Sequence, residues 1–229
     1  MKLSSEVNFS LVHFQISHEG CWTNFARKYG IEISTLYTIA DSQRNNIFGI
    51  VELKVRHKSS LKDFINDISR SESIREIISI RPINTTNNLF KMEINERFRG
   101  MLSGALNKFP IISRSDLIAG GIENEAIIVE DHYIGAIENE LVRLGDLASF
   151  KVIRGIDINE FLNPVLKLTH QERYAILKAV EEGYYEIPRK MHLQDLSKKT
   201  GLSKATLEEY IRKAEMKLMN KARLWLTQS

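Results

Sequence analysis

A glycine at position 201 separates two segments whose apolar residues recur at helical spacing, and this corner constrains the fold of the C-terminal part. The segment before it, 192–200, places Leu193 and Leu196 on one face. After the glycine, Ser203 is positioned as the N-cap of another helix. Glycine readily adopts the positive φ that a tight corner between helices requires. The pattern therefore predicts two helices joined by a short turn.

The flanking sequence extends this pair to a three-helix unit. Upstream, Thr169 and Glu172 match the T-x-x-E capping box at the start of a helix, and Gly183 is placed to end it. Beyond Ser203, an apolar stripe with helical spacing follows at Leu207, Ile211, Ala214 and Leu218. We therefore predict an all-α C-terminal domain over residues 168–229.

The register of this domain resembles the helix–turn–helix of the archaeal bacterio-opsin-activator-like regulators. The resemblance is carried by the LTHQER start at 168–173, the GYYEIPR connector at 183–189 and the run SKATLEEYIRKAEMKL at 203–218. It covers about a quarter of the chain and implies a transcription factor that binds double-stranded DNA. Glu208 and Glu209 depart from the family's looser pattern, although either carboxylate can accept a hydrogen bond from a cytosine amino group.

The resemblance also indicates which side chains meet DNA. The outward residues on the first turns of a recognition helix reach base edges, so we expect base contacts from Ser203, Lys204, Thr206, Glu209, Tyr210 and Lys213. Alternatively, Tyr210 packs inside beside the apolar stripe. Phosphate contacts are expected from Arg189, Lys190, Lys198 and Lys199. The competing interpretation is that these residues form only the solvated face of a helical hairpin.

The charge distribution agrees with a nucleic-acid partner. The chain has a formal net charge of +3, but residues from Glu160 onward contain 13 Lys and Arg against 9 Asp and Glu. The remainder contains 19 against 20. The positive excess therefore lies with the predicted helix–turn–helix domain, as attraction to phosphate requires.

The third helix carries its apolar stripe further than a three-helix core needs. The continuation consists of Leu218, Ala222, Trp225 and Leu226. An apolar stripe that ends in tryptophan indicates a protein contact, so we predict a homodimer formed through these residues. The alternative is that Trp225 packs on the N-terminal domain of its own chain.

Residues 1–154 contain two successive sets of elements in the order β-α-β-β-α-β, at about 1–84 and 85–154. Strands are predicted at 7–16, 31–39, 47–55, 74–80, 88–94, 111–119, 125–130 and 148–153, and helices at 21–29, 59–69, 99–108 and 132–144. Tandem split βαβ units of this kind are similar to ferredoxin-like or ACT modules. We therefore expect an α+β sensor or oligomerisation domain, followed by a packed apolar linker at 155–167.

The HEGCWT segment at 18–23 lies where a strand passes into a helix. Free backbone N–H groups there can meet small ligands, and a thiolate at a helix N-terminus has a lowered pKa. His18, Cys21 and Trp22 are therefore the candidate effector or redox site. The alternative is that Cys21 and Trp22 are core residues of the first helix. His18 and Cys21 supply only two metal ligands, whereas zinc requires three or four, so no metal site is predicted.

Other function classes are disfavoured by the sequence. It has no glycine-rich phosphate loop, Ser-His-Asp constellation or catalytic carboxylate motif, so we predict neither an enzyme nor a cofactor. Apolar runs stay below the roughly 18 residues that span a bilayer, and a secretory signal is not recognisable, so we expect a cytoplasmic protein without a membrane partner.

The function expected from these features is a DNA-binding transcriptional regulator controlled at its N-terminal domain by a small effector or redox signal. The alternative is a ligand-binding or thiol-sensing protein whose C-terminal helices mediate protein–protein contact.

Overall fold

The computed structural model describes residues 6–84, 86–158, 161 and 167–226, and only the main chain of 221 and 223–226. Within these residues the chain forms two compact units, Met1–Ile156 and Asp157–Ser229. Much of the predicted linker, at 159–160 and 162–166, lies outside the described residues. None of the helices in the described part has the length and apolar character needed to cross a membrane.

The N-terminal unit is built on one antiparallel sheet of eight strands. The strands are β1 (Phe9–Ser17), β2 (Ile31–Asp41), β3 (Asn46–Val55), β4 (Ile74–Asn84), β5 (Leu89–Arg97), β6 (Ser113–Ala119), β7 (Ile122–Glu130) and β8 (Asp146–Ile156). The helices are α1 (Phe25–Tyr29), α2 (Lys58–Ile68), α3 (Leu102–Leu106) and α4 (Ile134–Leu144). Their order along the chain is the predicted one.

The order of strands across the sheet differs from two separate βαββαβ modules. It runs β4-β5-β3-β2-β6-β7-β1-β8, so β5 lies between β3 and β4, and β1 lies between β7 and β8. Each half of the sheet therefore contains three strands of its own half of the chain and the first strand of the other. The halves meet where β2 and β6 pair through Ile33 and Ile118. The expectation of two successive modules is corrected accordingly, because periodicity predicts a strand but does not specify its partner.

Two apolar cores lie on the sheet, one for each half. Phe64 and Ile68 of α2 are fully buried in the first core, as their helical spacing predicts. Ile137 and Leu141 of α4 are fully buried in the second core. Phe14 of β1 belongs to this second core although it lies in the first half of the chain.

The C-terminal unit contains α5 (His170–Glu181), α6 (Leu193–Thr200) and α7 (Lys204–Leu226). The predicted capping box is present, because Thr169 Oγ1 accepts from the Glu172 N–H at 3.2 Å and Glu172 accepts from the Thr169 N–H at 2.8 Å. Gly201 ends α6 with φ of 71°, in the left-handed region. The buried core of this unit consists of Leu168, Ala175, Ile176, Ala179, Leu196, Leu207, Ile211 and Ala214.

Candidate nucleic-acid interface and buried polar cluster

The start of α7 is held by two hydroxyl groups. Ser203 Oγ accepts a hydrogen bond from the Thr206 N–H at 3.1 Å, as an N-cap does. The two side-chain oxygens of Ser203 and Thr206 also form a hydrogen bond of 2.8 Å. Ser203 therefore has a structural role in addition to the base contact predicted for it.

The outward face of α7 carries most of the predicted base-contacting residues. Ser203, Lys204, Glu209 and Lys213 are exposed, and Thr206 is half-buried. Glu209 and Lys213 form an ion pair of 2.5 Å along the helix. Lys204 makes no ion pair with any residue of the described part, so its ammonium group is free for a partner.

The sequence places Arg212 on the outward face of the helix but assigns it no DNA contact, and the structure shows it exposed on α7. It lines one open surface together with Ala205, Glu208, Glu209, Lys213 and Met216. Among the described residues Arg212 has no ion-pair partner. The sequence contained a signal for this position of Arg212. Arg212 follows Glu208 by four residues and Glu209 by three, and residues at these spacings share one face of a helix.

Tyr210 occupies a different environment from its neighbours. It is half-buried and packs against the apolar core of the three-helix unit. The position of Tyr210 matches the alternative in which it packs beside the apolar stripe. Less of its ring is therefore accessible to a DNA base.

The four predicted phosphate-contacting residues are exposed, but each has a partner within the unit. Three form ion pairs: Lys190 with Glu186 at 2.6 Å, Lys198 with Asp195 at 3.2 Å and Lys199 with Glu182 at 2.5 Å. The guanidinium of Arg189 lies 4.7 Å from the ring centroid of Tyr184. Exposed ion pairs contribute only about 0–1 kcal/mol, so a phosphate can replace the carboxylate at small cost.

The connector between α5 and α6 is tied to α7. Tyr185 donates a hydrogen bond to Glu215 at 2.5 Å, and the Lys190 N–H donates to the Gly183 carbonyl at 3.1 Å. These contacts hold Arg189 and Lys190 in a defined position relative to α7.

The predicted dimerisation residues are described only in part. Leu218 is half-buried and packs on the core of the unit, and Ala222 is also half-buried. The side chains of Trp225 and Leu226 lie outside the described residues.

His18, Cys21 and Trp22 are brought together with two carboxylates from distant strands. All three are buried, at 5%, 6% and 3% exposure. The His18 Nε2 atom lies 3.1 Å from Glu123 Oε1, and the Cys21 thiol donates to the same oxygen at 3.5 Å. Trp22 Nε1 donates to Glu96 at 2.6 Å. Cys21 and Trp22 also belong to the first apolar core. These two residues therefore pack in the core and also make the polar contacts just described.

The expected reactivity of Cys21 is not supported. Burial raises the pKa of the Cys21 thiol well above its ordinary value, and the Glu123 and Glu96 carboxylates raise it further. A lowered pKa at a helix N-terminus requires an accessible thiolate near positive charge, whereas this thiol is enclosed beside carboxylates.

A second set of charges adjoins this site. Arg114 of β6 binds Glu125 of β7 through two hydrogen bonds of 2.9 and 2.6 Å, and it also donates to Ser103 at 2.9 Å. Asp116 accepts from the Thr35 N–H at 2.6 Å. Cys21, Thr23, Glu96, Glu123, Arg114 and Asp116 all line one cavity of about 30 Å³. Burial raises the pKa of Glu96 to about 7, although the hydrogen bond from Trp22 acts in the opposite direction and lowers this pKa.

Sequence reasoning missed these partners because they lie 74 to 105 residues from the segment they contact. One signal was present in β7. Glu123 and Glu125 share a face with the buried Ile127, since side chains alternate along a strand. Two carboxylates in phase with a core residue indicate burial.

Comparison with known proteins gives a result for one part of the chain. Residues 168–220 match the family model described as HTH DNA binding domain. Searches of curated proteins and of solved structures returned no match. The matched residues span the capping box, the connector, α5, α6 and most of α7. Residues 168–220 therefore form an HTH DNA binding domain of the bacterio-opsin-activator type.

Proposed function

We propose that this DNA-binding transcriptional regulator reads specific sequences by placing the first turns of α7 in the major groove. The observation that carries the proposal is the start of α7, where Ser203 and Thr206 cap the helix and the neighbouring Lys204 is exposed without an ion-pair partner. A capped helix presents its first turn in one orientation, which base recognition requires. Lys204 and Thr206 are the base-contacting residues in this proposal, with Glu209 and Lys213 further along.

Phosphate contacts would come from the residues around the connector and α6. Arg189, Lys190, Lys198 and Lys199 keep the protein in register on the duplex, and they carry no sequence information themselves. Arg212 joins this set because its guanidinium is exposed and free within the described part of the chain.

The quaternary arrangement is also part of the proposal. A homodimer formed through Leu218, Ala222, Trp225 and Leu226 would set two recognition helices about one DNA turn apart, roughly 34 Å. The bound site would then have two-fold symmetry.

The N-terminal part, to residue 154, is proposed as the regulatory domain, joined through 155–167 to the DNA-binding domain at 168–229. Its sheet is consistent with two ferredoxin-like or ACT-like units that have exchanged their first strands. An effector bound there acts only through different affinities for the DNA-competent and incompetent states.

Electrophoretic shift assays with selected duplexes over a series of salt concentrations test the proposal. Specific binding should weaken steeply as salt rises, because bound Lys and Arg release counterions from DNA. The double variant Lys204→Ala, Thr206→Ala should reduce discrimination by about 1–3 kcal/mol per base contact, whereas Lys199→Ala should weaken all sites alike.

Lys58→Ala is the matched control, because Lys58 is exposed and is the first residue of α2 as Lys204 is of α7. It should leave binding unchanged. Unaltered specificity in the double variant would contradict the assignment of base contacts. A chain that binds no duplex would favour the alternative, a ligand-binding or thiol-sensing protein whose C-terminal helices contact another protein.

A further inference from the structure

We propose that His18, Cys21 and Glu123 form a binding site for a borderline divalent metal ion of the zinc type. One imidazole, one thiol and one carboxylate, all buried, present ligand atoms that lie within 4.8 Å of one another. The inference concerns the N-terminal unit and does not depend on DNA binding.

The distances suit a tetrahedral ion. Zinc bonds of 2.0–2.3 Å place neighbouring ligand atoms roughly 3.3–3.7 Å apart. Glu123 Oε1 lies 3.1 Å from His18 Nε2 and 3.5 Å from Cys21 Sγ. Small side-chain shifts would therefore let all three atoms bind one ion.

The surrounding residues support the same three ligands. Thr23 Oγ1 lies 2.9 Å from Cys21 Sγ and 3.2 Å from Glu123 Oε1, so its hydroxyl orients both. The backbone of Gly145 packs directly against Ser17 and His18. A Cβ atom added at position 145 would lie only 2.3 Å from the Ser17 carbonyl oxygen and 2.7 Å from His18 Cβ. His18 thus has little freedom to leave its position.

An independent observation supports cation binding near this cavity. Asp116 lines the same cavity as Cys21 and Glu123, and its side chain is 2% exposed. Its Oδ2 atom has no hydrogen-bond partner among the described residues. His18 Nδ1 is likewise buried without a hydrogen bond in that part of the chain. Asp116 Oδ2 forms an ion pair of 3.9 Å with Arg114 Nη2, which is too long for a hydrogen bond. Because buried polar atoms are normally hydrogen-bonded, this oxygen beside the polar cavity can bind a further donor or cation.

Acidic side chains predominate around the cavity, and a bound cation would balance their negative charge. Arg114 forms two hydrogen bonds with Glu125 and a longer ion pair of 3.9 Å with Asp116. Among the described residues that line the cavity, the acidic side chains of Glu96, Asp116 and Glu123 outnumber this one guanidinium. The cavity of about 30 Å³ also exceeds the ~10–15 Å³ needed for a water molecule. Water would therefore complete a site with three protein ligands.

The mixture of donors selects the class of ion. Mg²⁺ and Ca²⁺ require six or more oxygen ligands, whereas an N, S and O set suits zinc and similar ions. Binding would replace the thiol proton of Cys21, which passes to solvent, by the metal. The sequence predicted no metal site because Glu123 lies 102 residues from Cys21.

Metal titration of the full-length, chelator-treated chain tests the site without DNA. We expect one Co²⁺ per chain, with a thiolate-to-cobalt charge-transfer band and the visible spectrum of four-coordinate cobalt, and displacement by Zn²⁺. Cys21→Ser should abolish the charge-transfer band. His18→Gln and Glu123→Gln should each weaken binding by at least about tenfold.

The surface pair His132 and Glu130 supplies matched controls. His132 Nδ1 lies 3.2 Å from Glu130 Oε2, but His132 is exposed, Glu130 is only half-buried, and the one cysteine of the chain, Cys21, lies elsewhere. His132→Gln and Glu130→Gln should therefore retain wild-type metal affinity.

X-ray absorption of the zinc-loaded wild-type chain tests the site without any substitution. Misfolding of a variant therefore cannot affect the result. One sulfur and two or three nitrogen or oxygen neighbours are expected around zinc. A shell without sulfur, a lack of stoichiometric binding, or unchanged affinity in folded Cys21→Ser would overturn the proposal. Because DNA is absent, these outcomes are independent of whether the DNA-binding proposal holds.

Discussion

Glu172 combines two stabilising contacts in the three-helix unit. It accepts from the Thr169 N–H at 2.8 Å, which completes the capping box, and from Lys217 Nζ of α7 at 2.6 Å. The Lys217 hydrogen bond, followed by the Thr169 backbone, lowers the pKa of this carboxyl below its ordinary value. The T-x-x-E spacing predicted the cap, but the contact with Lys217 depends on how α5 and α7 pack.

The variant Glu172→Gln should lower the free energy of unfolding by about 1 kcal/mol at neutral pH. Because the folded-state pKa is lower than the unfolded one, the carboxylate stabilises the fold above its unfolded pKa and loses that effect as pH falls through the folded pKa. The difference between wild type and variant in urea denaturation should therefore shrink in acid.

Glu181→Gln is the control for this prediction, because Glu181 forms an exposed ion pair with Lys178 in the same helix and no other ion pair with the described residues. Its effect should stay below about 0.5 kcal/mol at both pH values. A difference for Glu172→Gln that is equal at neutral and acid pH would contradict the assignment.

At the scale of elements, the exchanged strands couple the two halves of the N-terminal unit. β1 pairs with β7 and β8 along most of its length, and β5 pairs in the same way with β3 and β4. Alternating apolar residues predicted all eight strands. They did not predict the exchange, because alternation specifies which face is buried and leaves the pairing partner open.

The exchange predicts where a core substitution acts. Phe14→Ala should cost about 4 kcal/mol, because the side chain is fully packed and lies 6.4 Å from the Phe150 ring. Hydrogen-exchange mass spectrometry should show the largest loss of protection in β7 and β8, although Phe14 lies in the first half of the chain.

Phe64→Ala is the matched control, since Phe64 is equally buried but belongs to the first core. It should affect β2 and β3 more than β7 and β8. Identical protection patterns for the two variants would show that the halves open together rather than separately.

At the scale of the whole molecule, the proposed homodimer fixes the geometry of the DNA site. Two recognition helices bound on one face of the duplex require half-sites separated by about one helical turn. Inserting roughly 5 base pairs between half-sites should weaken binding strongly, because it rotates one half-site to the opposite face.

An insertion of about 10 base pairs restores the facing and serves as the control, with only the distance changed. Quantitative footprinting would measure both. Equal affinity for the original and half-turn-shifted sites would indicate that each chain binds DNA alone, and light scattering of the free protein would then show whether a dimer exists.

The C-terminal unit could be predicted from its residues because its determinants are local. The Thr169 cap, the Gly201 corner and the stripe from Leu207 to Leu218 act over distances of three or four residues, where helix geometry is regular. The same range of the chain carries the match to a DNA-binding family. The sequence by itself therefore determined this unit and its class of partner.

Only the tertiary structure decided the arrangement of the N-terminal unit. It placed β1 and β5 in each other's half of the sheet and brought Glu123 to His18 across 105 residues. Strand partners are chosen by burial and packing over the whole sheet, and no local pattern records that choice. For this reason the polar cluster, unlike the recognition helix, emerged only once the chain was folded.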